Sequence, residues 1–328
     1  MPEIAGPVRA PELTSGLWLQ GPKVSVRSGS GRVVLLDFWE ASCVYCVRTL
    51  PYLRAWHERY AGRGLDVVGV HTPEFDFTAA ASFVGSSIRD LDLPYPVLLD
   101  TDRAIWSAYA NKVWPAKYLI DARGYLRFEQ FGAGGYELFE EWIQRLLHEA
   151  GDRAPMPPIL RPLRPEDASG AVCHRPSAEL YVGFHRGGLV AAEGYRPGEV
   201  VFHAPEQAAP EAGSFVASGR WLHQDDYLEA CEIGASLLVR CEASTVHMVA
   251  EPEGFCRVEV DGAPVAPGSW GGDLRAAGEQ TVAAWERPRL VEILDAPDFT
   301  SRLVRITALE PGLRVYTFTF GGCLREAS

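Results

Sequence analysis

Between residues 33 and 150 the apolar positions alternate between continuous runs of strand length and spacings of three and four. Val33-Val34-Leu35-Leu36-Asp37-Phe38 is a run of the first kind. Val47, Leu50, Leu53, Trp56 and Tyr60 follow at the second spacing, which predicts a strand at 33–38 and a helix at 43–61. Pro51 falls inside that helix and predicts a kink. The pattern continues with a strand at 65–71, a helix of weak apolar phase at 76–91 and a strand led in by Pro94-Tyr95-Pro96. A short helix at 103–110 follows, then strands at 117–121 and 125–131 turned by Ala122-Arg123-Gly124. A closing helix spans 136–149, with Leu138, Trp142, Leu146 and Leu147 expected to face inward. Ahead of all this lies a Pro- and Gly-rich lead-in at 1–32, whose Ala10-Pro11-Glu12-Leu13 and Trp18-Leu19 read as apolar anchors. Such alternation implies an α/β domain, a mixed sheet covered by helices on both faces.

The rhythm changes after residue 150. Pro155, Pro157, Pro158, Pro162 and Pro165 crowd a segment in which regular structure is not expected, and 151–176 reads as a stiff connector. Beyond it Leu237, Val239 and Cys241 alternate, as do Tyr316, Phe318 and Phe320, with turns at Asp261-Gly262 and Pro311-Gly312. This pattern predicts an all-β sandwich, jelly-roll-like, over 177–328. The expected organisation is therefore a domain at 1–150, a linker at 151–176 and a β-sandwich at 177–328.

Composition narrows the partners. The 328 residues are 47% hydrophobic, enough for two cores, and the net charge of -12 argues against nucleic acid and anionic membrane. Met1-Pro2-Glu3-Ile4-Ala5-Gly6-Pro7 lacks the basic and apolar regions of a signal peptide, and no run is long and apolar enough to span a bilayer. A cytoplasmic location follows as an expectation. In that setting Cys173, Cys231, Cys241, Cys256 and Cys323 are expected to be reduced, mostly buried side chains.

Cys43 and Cys46 carry the chemistry. A Cys-x-x-Cys pair between a buried strand and an amphipathic helix is the sequence form of a redox site. The first thiol falls at a helix N-terminus, where free N–H groups favour the thiolate, and the second lies one turn on, within reach of a disulfide. Half of a structural zinc site is the alternative, but the other five cysteines provide no second close pair, so no metal is expected. Asp37, in the strand six residues before Cys43, is a buried carboxyl able to relay a proton for the second thiol. Trp114-Pro115 precedes the strand Lys117-Tyr118-Leu119-Ile120. A proline there is compatible with a cis bond that brings backbone close to the thiols.

Residues Val33 to Pro51, with the Asp-Phe-Trp triplet, the cysteine pair and the proline eight residues after Cys43, resemble the active-site segment of the thioredoxin superfamily. Gly69-Val70-His71-Thr72-Pro73-Glu74-Phe75 and Trp114-Pro115-Ala116-Lys117-Tyr118-Leu119-Ile120-Asp121 resemble the TlpA-like domain of DipZ-type proteins. Ala178-Glu179-Leu180-Tyr181-Val182-Gly183 extends that resemblance into the β-rich half. It implies a carbohydrate-binding-module-like sandwich, with Trp221, Tyr227, Trp270 and Trp285 as faces for sugar rings; core filling is the other use of such aromatics. Val44-Tyr45 replaces the Gly-Pro of thioredoxin, and Ser42 stands where an aromatic is frequent.

The expected function is thiol–disulfide exchange with a disulfide-containing protein or a small thiol, with no cofactor. Cys43 attacks, Cys46 resolves, Asp37 handles the proton, and Trp39, Val44, Tyr45, Trp114 and Pro115 meet the partner. No histidine lies between the cysteines to depress the first pKa, which favours a reductase. Two rivals stand beside it. One is a peroxiredoxin-type thiol peroxidase, although that branch places Pro and Thr where this chain has Glu40-Ala41-Ser42. The other is a glycan- or partner-binding protein in which the thiols are incidental.

Overall fold

Odd and even residues of one strand divide the first core in two. In the computed structural model, which describes residues 8–27, 31–190, 197–203 and 210–324, the strand Val33–Trp39 is buried along its whole length. Val33, Leu35 and Trp39 pack into one apolar cluster, and Val34, Leu36 and Phe38 into another on the opposite face. The chain falls into two compact units, Met1–Asp167 and Ala168–Ser328.

The elements of the first unit, in order, are β1 (Val8–Arg9), β2 (Leu17–Gln20), β3 (Val33–Trp39), α1 (Val44–Tyr60), β4 (Leu65–His71), α2 (Ala81–Asp90), β5 (Val97–Leu99), α3 (Ala104–Ala108), β6 (Ala116–Ile120), β7 (Tyr125–Phe131) and α4 (Tyr136–Glu149). Among the described residues seven strands form one sheet in the order β1-β7-β6-β3-β4-β5-β2. β3 pairs parallel with β4 and antiparallel with β6, so the sheet is mixed. α1, α2 and α4 cover one face. α3 and the lead-in residues Leu13 and Val26 cover the other.

Three expectations change here. The lead-in does more than anchor: it supplies both edge strands, β1 on β7 and β2 on β5. In α4 the inward face is Tyr136, Phe139, Ile143, Leu146 and Leu147, and Leu138 points outward. The Pro-rich segment, expected as a stiff connector, is over its first part a strap held on the first unit. Pro155, Pro157 and Pro158 offer carbonyls to Arg63, Gln144 and Arg59, while Met156 and Leu160 pack on the core. Leu163 N–H donates to the Tyr52 hydroxyl, which in turn donates to Asp167. Proline supplies acceptors without donors of its own, which suits a segment held by neighbouring side chains. The division between units therefore falls after Asp167.

The second unit is all-β: β8 (Leu180–Tyr181), β9 (Gly198–Phe202), β10 (Ser214–His223), β11 (Leu228–Ala230), β12 (Ser236–Glu251), β13 (Gly254–Val260), β14 (Ala263–Pro264), β15 (Leu274–Ala277), β16 (Gln280–Trp285), β17 (Arg289–Ala308) and β18 (Arg314–Gly321). β12 shifts register beyond Ala243, pairing with β10 before the shift and β18 after it, and β17 follows it along both halves. Bulges of this kind bend a strand and let one ladder serve two parts of a sheet. Among the described residues the strands enclose one apolar cluster. Trp221 and Trp285 lie inside it, their ring N–H groups donating to the carbonyls of Ser218 and Pro252, and Trp270 packs against it. These tryptophans fill the core; Tyr227 stands over Tyr316 at 5.2 Å.

Cys173 and Cys323 form a disulfide, against the expectation that all five outlying cysteines are reduced. The segment entering the unit lies antiparallel to the chain leaving β18, with His174 N–H on the Gly322 carbonyl and Leu324 N–H on the Val172 carbonyl. Two cysteines 150 residues apart are thereby set opposite each other. Cys231, Cys241 and Cys256 are free thiols. Met1 to Pro7, read above for a leader, lie outside the described residues. Among the described residues no helix is long and apolar enough to cross a membrane.

Candidate active site

The site forms where β3 ends and α1 begins. Cys43 is the N-cap of α1, with extended backbone (φ -87°, ψ 112°), and its sulfur accepts the Cys46 N–H at 3.2 Å. The Cys43 sulfur thus takes the place of an N-cap acceptor at the end of the helix where the free N–H groups lie. Cys46 lies one turn on, fully buried, with its sulfur 2.7 Å from that of Cys43; both thiols are free. Burial and the neighbouring Cys43 sulfur raise the Cys46 pKa well above that of an ordinary thiol, and Asp37 adds to the effect. One thiol is thus partly exposed and helix-capped, and the other is enclosed and protonated. α1 carries on through Pro51 as a single helix to Tyr60.

Asp37 lies on the α1 side of β3, between Leu35 and Trp39, fully buried and with neither carboxylate oxygen hydrogen-bonded. Burial raises its pKa to about 7, against the opposing pull of Lys117. Lys117 is its cross-strand partner in the β3–β6 register and is also fully buried. Its ammonium donates to the Gly132 carbonyl at 3.2 Å and stands over the Tyr136 and Phe139 rings at 5.6 and 5.8 Å. Burial lowers the Lys117 pKa, with Asp37 and Cys46 pulling the other way. The sequence reading missed this lysine. Its signal was present: Lys117 shares the parity of Leu119 in an apolar strand, and an inward lysine needs an anion.

A second buried pair stands at the other side of the turn. Glu40 and His71 are fully buried, Glu40 Oε1 lying 3.7 Å from His71 Nε2. His71 Nε2 accepts the Ala41 N–H at 3.3 Å, and burial lowers its pKa to about 3, so the ring is neutral. Glu40 was quoted in the sequence only for a family comparison, and nothing local marked it as buried.

Of the residues expected to meet a partner, Tyr45 and Trp114 are partly exposed, with Arg48 over the Tyr45 ring and Arg103 over Trp114. Trp39 and Val44 are not at the surface. Trp39 is enclosed edge-on to His71 at 4.9 Å and lies over Gly69, where a Cβ would sit 3.0 Å from its ring nitrogen. β3 is covered on both faces, so a residue of either parity is enclosed. Val44 turns into the core as the first residue of α1. The Trp114–Pro115 bond is cis, and Pro115 leads directly into β6, which carries Lys117.

Comparison with known proteins adds to this geometry. Residues 8–129 match the AhpC/TSA family, and residues 177–321 match the family described as thioredoxin like C-terminal domain. Protein DipZ of Mycobacterium bovis is 32% identical over 319 residues, which covers 93% of this chain and 41% of that protein. The chain therefore spans well under half the length of that relative. Thiol-disulfide oxidoreductase YkuV of Bacillus subtilis is 30% identical over 140 residues, covering 42% of this chain and 94% of that protein. Thiol-disulfide oxidoreductase ResA of Bacillus thuringiensis is 27% identical over 128 residues, covering 39% of this chain and 71% of that protein.

Proposed function

Since the chain belongs to the thioredoxin-like thiol–disulfide oxidoreductases, we propose that it reduces disulfides of protein or small-thiol partners through Cys43 and Cys46. The observation that carries this reading is the asymmetry of the two sulfurs, one helix-capped and partly exposed, the other buried 2.7 Å behind it. Cys43, as thiolate, attacks one sulfur of the partner disulfide; a mixed disulfide forms and the partner's other sulfur leaves as a thiolate. Cys46 then gives up its proton and attacks Cys43, which closes the intramolecular disulfide and releases the second partner thiol. Asp37 takes the Cys46 proton: its pKa of about 7 leaves it a working base at neutral pH, and Lys117 keeps the charge from being stranded. In this reading Tyr45, Trp114 and the backbone at Pro115 receive the partner chain, which the partial exposure of Tyr45 and Trp114 supports.

The cytoplasmic expectation rested on the first seven residues and carried with it five reduced outlying cysteines. The Cys173–Cys323 disulfide instead favours an oxidising compartment, in which a reductase acts on misformed or regulatory disulfides. The second unit gives less support to a carbohydrate ligand than its aromatic content suggested, because Trp221 and Trp285 are enclosed.

A redox titration of the Cys43–Cys46 pair in thiol–disulfide buffers tests the function. The expected result is a reversible two-electron transition below about −230 mV, whereas a midpoint above about −180 mV makes the protein an oxidant or isomerase. If no reversible disulfide forms, the exchange reading fails. The AhpC/TSA match favours the second reading, a thiol peroxidase. Peroxide turnover with a thiol donor, at a rate no higher than that of free cysteine, is expected to dispose of it.

A further inference from the structure

The exchange mechanism uses Asp37 and Lys117 but has no task for Glu40 and His71. Their hydrogen bonds converge on one short stretch. Past the end of β3, the Ala41 N–H is taken by His71 Nε2, the Ser42 N–H by Glu40 Oε2 at 2.7 Å, and the Cys43 N–H by the Glu40 carbonyl at 3.2 Å. The Ser42 hydroxyl also donates to Glu40 Oε2. Each backbone donor of the turn that delivers the attacking thiol is thus held by Glu40 or by its imidazole neighbour. A buried carboxyl is a costly way to hold a turn, since a serine or asparagine caps turns without desolvating a charge.

We propose that Glu40 is a positioning residue for the attacking thiol: its side chain clamps the Ala41–Ser42 turn against β4 and so fixes Cys43 at the N-terminus of α1. Without the clamp the Cys43 sulfur drifts from the Cys46 N–H that stabilises its thiolate. The groups that act on Glu40 are His71 at the end of β4, Glu74 and Thr78 from the segment that follows, and Ser42 within the turn. Asp37 lies on β3, which ends just before Glu40, and the two thiols lie at the start of α1. Burial raises the Glu40 pKa to about 7, so the clamp holds near neutral pH with the carboxyl in either form, because the acid and the carboxylate both keep an acceptor oxygen.

The inference rests on Cys43 being the attacking thiol. Its test measures iodoacetamide alkylation of Cys43 against pH in a Cys46→Ser background, with Glu40→Ala and Glu40→Gln added separately. Asp37 is present throughout and cancels. Clamping predicts that Glu40→Ala moves the profile to higher pH, leaving about tenfold less thiolate at pH 7, the worth of one charge-assisted hydrogen bond. Glu40→Gln, which keeps the shape and one acceptor, is expected to move it the same way by about threefold, and it decides the matter alone if the alanine variant does not fold. A carboxylate acting only through its charge predicts the reverse, a move to lower pH in both variants, and that result overturns the proposal. An unmoved profile in both overturns it too. If wild-type protein cycles its disulfide while these profiles stay put, only the role of Glu40 is lost; if wild type never forms the disulfide, the function itself is.

Discussion

The molecule contains two cysteine pairs built on opposite principles. Cys43 and Cys46 are separated by one helical turn and sit beside four buried ionisable groups, Asp37, Glu40, His71 and Lys117. Cys173 and Cys323 are 150 residues apart, with Cys173 at the surface, and are joined where the entry and exit of a β-rich unit meet. A bond across two intervening residues removes little chain entropy, so the first pair can open and close with small effect on the fold. A bond that closes a loop of this size restrains the whole unfolded unit. Proximity in sequence thus suits a pair for turnover, and distance suits a pair for holding structure.

The largest expected effect that tests this contrast is on catalysis. Cys43→Ser is expected to lower the rate of insulin disulfide reduction by about a thousandfold or more, whereas Cys173→Ser with Cys323→Ser leaves it within about twofold. Comparable losses in both variants would erase the division of labour. The next effect is on stability and runs the other way. The double substitution at Cys173 and Cys323 is expected to cost the second unit about 2–5 kcal/mol, read by denaturant unfolding, while Cys43→Ser with Cys46→Ser costs the first unit far less.

The smallest effect sharpens the account of the exchange pair. Asp37→Asn is expected to slow resolution of a trapped mixed disulfide by about 10- to 100-fold at pH 8 and to remove the inflection near pH 7 from its pH profile. The sign follows from the raised pKa. Asp37 is a base only above about pH 7, so wild-type resolution falls as pH drops through that value. For stability the same shift runs in the other direction. A carboxyl whose folded pKa is raised contributes stability below its unfolded pKa, and that contribution is lost as pH rises through about 7. Asp37 therefore withdraws its own contribution to stability as it becomes the base its chemistry needs, while the buried, neutral His71 contributes in the opposite sense as pH rises.

What was legible in the sequence was local. β3, α1, β4, β7 and α4 fall where apolar spacing put them, because each is set by a periodicity within its own residues. Cys43 and Cys46 were legible for the same reason. The pairing of Asp37 with Lys117 depends on the β3–β6 register across 80 residues of chain, and the Cys173–Cys323 bond on the return of the last strand to the first; neither leaves a local pattern. Trp39 was expected to meet a partner and is enclosed instead, because the sheet is covered on both faces and leaves neither parity of β3 at the surface.

The strap after α4 has a practical consequence for dividing the protein. Glu140 is buried, accepts hydrogen bonds from the Tyr60 hydroxyl at 2.5 Å and the Leu160 N–H at 2.9 Å, and pairs with the Arg59 guanidinium at 2.9 Å. A fragment ended at residue 150 strips that cover away and opens Tyr52, Tyr60 and the carboxylate to water together. One ended at Asp167 carries its own cover with it, and that is where a stand-alone redox fragment should be cut.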